Sequence, residues 1–431
     1  MVTRVTPREG WLSGGREWAG FGPLAPRDRS SQGRQIGAAA GPRLVVRATT
    51  RAGMRVGTRI EPMRTSDFDY HLPQELIAQT PAEPRDSSRL LVLPRDGGAI
   101  EHRRFTDILA YLAPGDLLVA NESRVLPARL LGQKATTGGH VEALLLRPGP
   151  EQPPEAAGLG GNLVWEALVK PGRSVRPGTR LVFSAAARER RPGPPAGAVL
   201  EATVTGRTEI GGRLLQFDQP PEAWLERVGL MPLPPYIHTP LADPERYQTV
   251  YSRVPGSAAA PTAGLHFTPR LLAALREKGV GWTTVTLHIG LDTFRPVQEE
   301  DPTTHPMHRE WYELPVATAA AINATRAAGR RVVVVGTTTV RVLETVAREQ
   351  GLGDTPGDVL RPASGWSQLF IYPGFHFRVT ESLLTNFHLP RSTLMMLVSA
   401  LAGRERILAA YAEAVRERYR FYSFGDAMLI L

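Results

Sequence analysis

The feature that most constrains the fold is a change in hydrophobic pattern part-way along the chain. Between about residues 126 and 217, short runs rich in Val and Leu are separated by clusters of Gly and Pro. Short, regularly spaced runs of this kind are typical of the strands of an all-β barrel or sandwich. The predicted strands are 141–146, 164–169, 180–183, 200–204 and 214–217.

A different pattern precedes and follows this β region, because predicted helices alternate there with buried strands. The run 331–335 is β-branched and predicts a central strand, and helices are predicted at 316–328 and 340–350. A further strand is predicted at 369–372. The fold class is therefore an α/β main domain with an inserted all-β barrel. We expect residues 63–123 and 221–431 to form the α/β domain and residues 124–220 the barrel.

The first 62 residues differ from the rest in composition and charge. They are rich in Gly, Arg, Pro and Ser without sustained apolar periodicity, which predicts a disordered extension. Eleven Arg against four acidic residues give this segment +7 of the total net charge of +9. The remainder is nearly neutral, so any contact with nucleic acid would use a local basic patch. The hypothesis we favour is a start codon assigned too early, with Met63 opening the folded part.

Composition excludes several classes of protein. The 431-residue chain contains no Cys, which excludes disulfides, Cys-ligated zinc and iron–sulfur clusters, and a thiol nucleophile. No run reaches the ~18 apolar residues that a membrane span needs, so we expect no membrane association. These features fit a cytoplasmic protein.

Polar residues occur at the ends of several predicted strands, where open α/β sheets bind ligands. In the segment 261–267, Thr262 and Gly264 would let backbone amides approach a ligand, and His266 could exchange a proton. In the segment 288–296, His288 and Gly290 follow a strand. Taken alone, the first segment is better explained by a loop with a helix cap, and the second by a turn with a hydrogen-bonded histidine.

The segment 335–341 runs from a strand through Gly336, Thr337 and Thr338 to Arg341 at a helix start. Free amides and the positive end of the helix dipole would suit a carboxylate or phosphate. The segment is neither a Walker loop nor a Gly-x-Gly-x-x-Gly fingerprint, which disfavours ATP and NAD. A capped strand–helix turn is the alternative interpretation.

Three further segments carry candidate residues. Asn386 and His388 precede a predicted helix, and an aromatic cluster over 419–428 could face a purine or simply belong to the core. His305 and His308 invite a zinc interpretation, but Pro306 argues against a helix that would align them, and we predict no metal site. The candidates in the aromatic cluster are Tyr419, Phe421 and Asp426.

In their order along the chain and in their residues, these segments resemble the motifs of one known family. Further matches are Asp-Phe-Asp-Tyr-His-Leu-Pro from Asp67, Arg-Asp-Ser-Ser-Arg-Leu-Leu-Val from Arg85, and Asn-Glu-Ser-Arg-Val-Leu-Pro-Ala-Arg-Leu from Asn121. Met-Pro-Leu-Pro-Pro-Tyr-Ile from Met231 and the later Tyr-Gln-Thr-Val-Tyr also match. The chain from Met63 onward resembles the S-adenosylmethionine:tRNA ribosyltransferase-isomerases of queuosine biosynthesis. One departure is Asp292, where the family usually has Gly.

The resemblance implies a reaction and its substrates. Family members transfer and isomerise the ribosyl group of S-adenosylmethionine onto 7-aminomethyl-7-deazaguanine at the wobble position of tRNA. The product is epoxyqueuosine, adenine and methionine are released, and the usual acceptors are the Asp, Asn, His and Tyr tRNAs. No cofactor is implied beyond S-adenosylmethionine as co-substrate. We expect a monomer.

The chemistry implied by the resemblance assigns provisional roles to the candidates. A base must remove a ribose 5′ proton, and His266 and His288 are favoured over His308, His388 and Asp426. Thr337, Thr338 and Arg341 are expected at the methionine carboxylate, and Tyr419, Phe421 and Asp426 at adenine. The other residues expected to bind S-adenosylmethionine are Thr262, Gly264, Gly290, Gly336 and Asn386. The arginines expected to contact tRNA phosphates, each of which could equally form a structural ion pair, are Arg85, Arg89, Arg124 and Arg129.

Three alternatives remain open at this stage. An S-adenosylmethionine-dependent RNA methyltransferase should show a Gly-rich loop after its first strand and an acidic residue at the end of the second, and neither is evident. A non-catalytic RNA-binding barrel protein should lack the clustered His and Gly–Thr segments. A paralogue acting on a small-molecule acceptor would share every motif.

The extension hypothesis predicts the effect of a deletion. A chain that starts at Met63 should retain full activity, because the motifs all lie beyond that residue. Comparing initial rates of the full and shortened chains tests this. A large loss of activity would show that residues 1–62 form a functional arm.

Overall fold

The computed structural model describes residues 63–149, 163–185, 199–208, 211–290, 297–353 and 357–431. Residues 64–431 form one compact unit. The predicted disordered extension, residues 1–62, and Asp292 lie outside the described residues. Within the described part of the chain, no helix is long and apolar enough to cross a membrane.

The strands fall into a large mixed sheet, a barrel and a two-stranded pair. In chain order they are β1 (Arg89–Leu93), β2 (Glu101–Arg104), β3 (Leu117–Asn121), β4 (Ser123–Val125), β5 (Arg129–Lys134), β6 (His140–Pro148), β7 (Val164–Lys170), β8 (Arg180–Ser184), β9 (Val199–Arg207), β10 (Arg213–Phe217), β11 (Gly229–Leu230), β12 (Val254–Ser257), β13 (Gly281–Leu287), β14 (Glu310–Leu314), β15 (Val332–Val335), β16 (Ala363–Ser367), β17 (Ser382–Asn386) and β18 (Ala427–Ile430).

The α-helices of the described residues are short to medium in length and accompany the mixed sheet, except for one near the barrel. In chain order they are α1 (Ile108–Tyr111), α2 (Leu225–Val228), α3 (Pro269–Glu277), α4 (Val316–Ala327), α5 (Thr337–Glu349), α6 (Thr393–Ala402) and α7 (Arg404–Arg416). A 3₁₀ helix, Thr262–His266, precedes α3.

The mixed sheet has the strand order β16-β14-β13-β3-β15-β17-β18-β1-β2. Its four middle strands β13, β3, β15 and β17 are parallel to their neighbours within that group. The four valines of β15 are all buried, as expected for a β-branched strand covered on both faces. Val333 and Val335, together with Leu118, Leu384 and Leu429, contribute to the main core.

The barrel is built from the strands of the inserted β region. Antiparallel pairing runs in the order β5-β6-β7-β10-β9-β8, and β5 pairs with β8 to close it. Phe183, Phe217, Leu215 and Val204 fill its interior and are essentially inaccessible to solvent. The predicted fold class, an α/β domain with an inserted closed barrel, is confirmed.

The barrel strands lie within Arg129–Phe217, and β11 continues the barrel sheet by pairing with β5. The domain boundaries at residues 124 and 220 stay predictions.

The structure corrects two details of the predicted elements. Residues 369–372 form no strand, and the strand of this region is β16, which lies a few residues earlier and pairs with β14. Helix α5 begins at Thr337, three residues before its predicted start. The polar Thr run hid this first turn, because apolar periodicity begins only at Val340.

Parallel strands place the polar segments together. Because β13, β3, β15 and β17 run in the same direction, their carboxyl ends meet at one edge of the sheet. Strand β18 is antiparallel to β17 and β1 is parallel to β18, so the residues preceding β18 and β1 reach the same edge.

Asn121, at the end of β3, joins this edge by its side chain. Its amide oxygen accepts from the Leu287 and Ser123 backbone N–H groups at 3.1 and 3.0 Å, and Nδ2 donates to the Leu287 carbonyl at 3.0 Å. Nδ2 also donates to Thr338 Oγ1 at 3.3 Å. Backbone pairing between β3 and β13 ends at Val285. Beyond that residue the Asn121 amide replaces the backbone bonds between the two strands, and it also connects the strands to α5.

We predict that Asn121→Leu destabilises the protein by about 2–4 kcal/mol, since it leaves buried backbone groups of Leu287 without partners. The free energy of unfolding in urea measures the effect. Gln298→Leu, which changes an exposed amide, is the control and should be nearly neutral. An unchanged urea midpoint for Asn121→Leu would contradict the structural role of this amide.

Candidate functional site

A cleft opens at the carboxyl edge of the middle strands. Its lining comes from segments that are distant in sequence: Pro261–Ala263 before α3, Ile289 after β13, Gly336–Thr338 after β15, Thr385–Leu389 around the end of β17, and Tyr422–Ser423 before β18. The remaining lining residues are Tyr236, Ala260 and Leu394. The polar segments singled out in the sequence therefore meet in one cavity.

The described residues of the cleft lining supply polarity without charge. No described residue lining the cleft is Asp, Glu, Lys or Arg, so hydroxyl, amide, imidazole and backbone groups supply its polarity. Its volume is about 550 Å³, part of which is open to solvent.

The start of α5 supplies backbone donors to the cleft. Gly336 lies at φ 84°, a left-handed conformation that favours glycine, and no side chain caps the helix. Val340 N–H makes the first helical bond, to the Gly336 carbonyl, so the amides of Thr337 to Thr339 precede it. Free amides and the helix dipole make this end attractive to an anionic group.

Asn386, at the end of β17, is contacted by His266, which lies outside the cleft lining. Its Nδ2 donates to the Tyr422 carbonyl at 3.1 Å and lies 3.3 Å from His266 Nε2. Its Oδ1 is buried without a hydrogen-bond partner among the described residues. Asn386 is 3 % exposed and lines the cleft, whereas His266 does not.

The bonds of His266 define its protonation. Its Nε2 accepts from Asn386, so Nδ1 carries the proton and donates to Ser88 Oγ at 2.7 Å. Burial, together with the charge of Arg420, lowers the pKa of His266 to about 3. Phe105 stacks on the ring at a centroid distance of 4.9 Å. The residue is thus a neutral imidazole fixed in one tautomer.

His388 is the candidate histidine that lines the cleft. Its Nε2 lies 2.9 Å from Thr385 Oγ1, its backbone N–H donates to Tyr411 Oη, and Tyr70 Oη donates to its carbonyl. Burial lowers the pKa of His388 to about 3, so its imidazole is neutral near pH 7.

Thr262 lines the cleft, whereas the other candidates of the 261–290 region lie outside the lining. His288 stacks on Trp311 at 5.2 Å, burial lowers its pKa to about 4, and its Nδ1 has no partner among the described residues. Gly290 N–H donates to Glu310. Gly264 is packed so closely that a Cβ there would lie 1.9 Å from Tyr251 Oη.

Arg341 and His308 lie in a neighbouring cavity of about 500 Å³. Arg341 Nη1 is paired with the buried carboxylate of Glu310, and its Nε donates to the Leu369 carbonyl. Leu394 lines both cavities. The structure therefore separates Arg341 from Thr337 and Thr338, although the three share one helix.

The predicted adenine-facing residues do not line the cleft. Asp426 accepts the Arg89 and Arg420 backbone N–H groups, each at 2.8 Å, and burial raises its pKa. Tyr419 bonds His102, and Phe421 packs in the aromatic core at 4.9 Å from Phe387. Their roles at adenine stay a prediction.

Tyr422 and Ser423, the neighbours of these residues, line the cleft instead. Tyr422 has φ 71°, a strained conformation for an aromatic residue and one that often marks a functional position. It also lines an open outer groove with Tyr70, His71 and Gln74. Sequence reasoning missed Tyr422, Ser423 and Tyr236, although each lies in or beside a matched motif.

The four arginines proposed for tRNA are half-buried and hold intramolecular partners. Arg85 donates to the Gln248 and Glu245 carbonyls, and Arg124 pairs with the Glu245 carboxylate. Arg129 pairs with Glu142. Arg89 donates to the Glu417 carbonyl and lies 3.7 Å above the Tyr419 ring. No group of three or more His, Asp or Glu among the described residues is placed to hold a metal ion.

Comparison with known proteins identifies the family. The family model described as queuosine biosynthesis protein matches residues 65–430. The chain belongs to this family.

Curated relatives agree with that membership. A protein of Symbiobacterium thermophilum named S-adenosylmethionine:tRNA ribosyltransferase-isomerase is 56% identical over 371 residues, which cover 86% of this chain and 100% of the relative. One of the same name from Moorella thermoacetica is 56% identical over 372 residues, with the same shares covered. A solved structure, the S-adenosylmethionine tRNA ribosyltransferase of Thermotoga maritima, is 41% identical, covers 85% of this chain and 100% of its own, and has a TM-score of 0.46.

The buried neutral histidines predict a pH dependence of stability. In the unfolded chain a histidine binds a proton below about pH 6.5, whereas in the folded protein His388 binds one only near pH 3. The stability that is present above pH 6.5 is therefore lost as the pH falls toward 3. Between pH 6 and 4, His388→Gln should reduce the pH slope of the unfolding free energy by about 1.4 kcal/mol per pH unit. Urea unfolding at several pH values measures it. His140→Gln, at an exposed site on the barrel, should keep the wild-type slope, and equal slopes for both variants would refute the assignment.

Proposed function

We propose that the chain is an S-adenosylmethionine:tRNA ribosyltransferase-isomerase. It would transfer and isomerise the ribosyl group of S-adenosylmethionine onto 7-aminomethyl-7-deazaguanine in tRNA, releasing adenine and methionine. The observation that carries the proposal is the convergence of five polar segments in one cleft, in a chain of the queuosine biosynthesis family. The full-length relatives that carry this name support it.

The cleft suits a reaction whose intermediates must be protected from water. Its walls would shield a bound ribosyl group from solvent while the sulfonium supplies the activation. The start of α5 at Thr337 and Thr338 would bind the methionine carboxylate. His388, as the neutral histidine of the lining, would exchange protons with the substrate, a contribution of roughly 10²–10⁴-fold.

The acceptor base would enter from the outer groove. This groove and the cleft share Tyr422, whose ring could stack on an unpaired base. An anticodon loop is single-stranded, so extrusion of the wobble base would cost little. The proposed phosphate contacts, Arg85, Arg89, Arg124 and Arg129, would have to exchange or share their present partners. Acceptor identity among the Asp, Asn, His and Tyr tRNAs, and a monomeric state, belong to this proposal.

Donor labelling tests the function. With S-adenosylmethionine labelled in its ribose and tRNA carrying 7-aminomethyl-7-deazaguanine, the label should enter the tRNA with release of free adenine. Donor labelled in the methyl group should leave the tRNA unlabelled. Transfer of the methyl label would instead identify a methyltransferase, and binding of tRNA without consumption of donor would identify a non-catalytic binding protein.

A further inference from the structure

Two complementary binding groups lie side by side in the cleft. The start of α5 offers backbone N–H donors, whereas Asn386 offers a carbonyl oxygen that has no partner among the described residues. Strand pairing sets their proximity, because Val335 of β15 is opposite Leu384 of β17, and Gly336 N–H donates to the Leu384 carbonyl at 2.8 Å. Gly336, which precedes α5, is thus bonded to β17 two residues before Asn386.

A donor and an acceptor this close match a group with opposite charges on one carbon. In an α-amino acid the carboxylate and the ammonium are attached to the same carbon, so one can reach the helix start while the other reaches Asn386. The adenine amine lies at the other end of S-adenosylmethionine and could not share this position with the carboxylate. The described residues of the cleft lining also include no charged side chain, which suits a zwitterion whose head group is neutral as a whole.

We propose that the cleft binds the α-amino-acid head of its donor at this point, with the carboxylate at the amides of Thr337 to Thr339 and the ammonium on Asn386 Oδ1. The inference rests on the proposed function and specifies how that donor is oriented. A helix start alone would be insufficient, and the second observation is the buried, unpartnered Oδ1 of a residue that is 3 % exposed.

His266 then becomes a positioning residue. An Asn side chain can rotate to exchange its oxygen and nitrogen, and the choice is made by its neighbours. His266 Nε2 and the Tyr422 carbonyl are both acceptors for Nδ2, which leaves Oδ1 for the ligand. Because Nε2 accepts from Asn386, the ring proton is on Nδ1, and Ser88 Oγ lies 2.7 Å away to accept it. A protonated His266 would lose the bond to Asn386 and repel the ammonium, which accounts for a deeply buried neutral ring.

The first test compares ligands on the unaltered full chain. Dissociation constants are measured by calorimetry for S-adenosylmethionine, for its analogue without the α-amino group, and for its analogue without the carboxylate. Each deletion should weaken binding about tenfold or more, as expected for hydrogen bonds to charged groups. Equal binding of S-adenosylmethionine and the desamino analogue would overturn the inference and leave the proposed function intact. No binding of S-adenosylmethionine at all would overturn both.

The second test couples the ligand change to variants. In Asn386→Ala, removal of the amino group should change the dissociation constant less than about twofold, because its acceptor is gone. Asn323→Ala, which removes a half-buried amide bonded to Leu360 away from the cleft, should keep the full wild-type discrimination. Full discrimination in Asn386→Ala would overturn the inference.

The positioning role of His266 has its own readout. His266→Leu should lose most of the discrimination between S-adenosylmethionine and the desamino analogue, and His266→Gln, which retains an acceptor and a donor, should restore it. Neither variant should change the shape of the kcat–pH profile, because the ring stays neutral in the wild type. Loss of a limb of that profile in His266→Gln would show proton transfer by His266 and overturn the positioning role.

Discussion

The pairing of β15 with β17 is the constraint on which the site depends. These two parallel strands end together, and their register brings the start of α5 beside Asn386. β-Branched residues that are buried on both faces hold the position of β15. A shift of one residue would turn the side chains of β17 to the opposite face of the sheet and remove Asn386 from the cleft. The chemistry of the cleft therefore depends on the register of strands in the core.

Neutrality is the second property of the site. A charged side chain buried in the cleft would require a partner of opposite charge. The described residues of the lining include no charged side chain. Arginines outside the cleft lining are paired with carboxylates: Arg341 with Glu310 and Arg124 with Glu245. The described lining consequently relies on dipoles: amides at a helix start, an asparagine oxygen, and the imidazole of His388, which burial keeps unprotonated. Preoriented dipoles of this kind need no reorganisation when a charged substrate binds or reacts.

The inserted barrel leaves this arrangement intact. It enters after β4, which follows β3, and the chain returns before β12, which pairs with β4. Asn121, at the end of β3, still connects that strand to Leu287 and Thr338. An insertion between β3 and β13 is tolerated because their pairing is completed by a side chain as well as by the backbone.

The sequence alone determined the fold class, the family and the segments that form the site, because hydrophobic periodicity and ordered motifs are local properties of the chain. It indicated Thr262, Gly336, Thr337, Thr338, Asn386 and His388, which all line the cleft. Only the tertiary structure decided which polar residues face the cleft and which hold others in place. His266 and Asp426 looked like catalytic groups by residue type. His266 is instead bonded to Asn386, and Asp426 to the backbone N–H groups of Arg89 and Arg420. The partners Asn386 and Arg89 are each more than 100 residues away along the chain. The left-handed backbone of Tyr422 and the Glu310 partner of Arg341 are likewise products of packing, which no local pattern encodes.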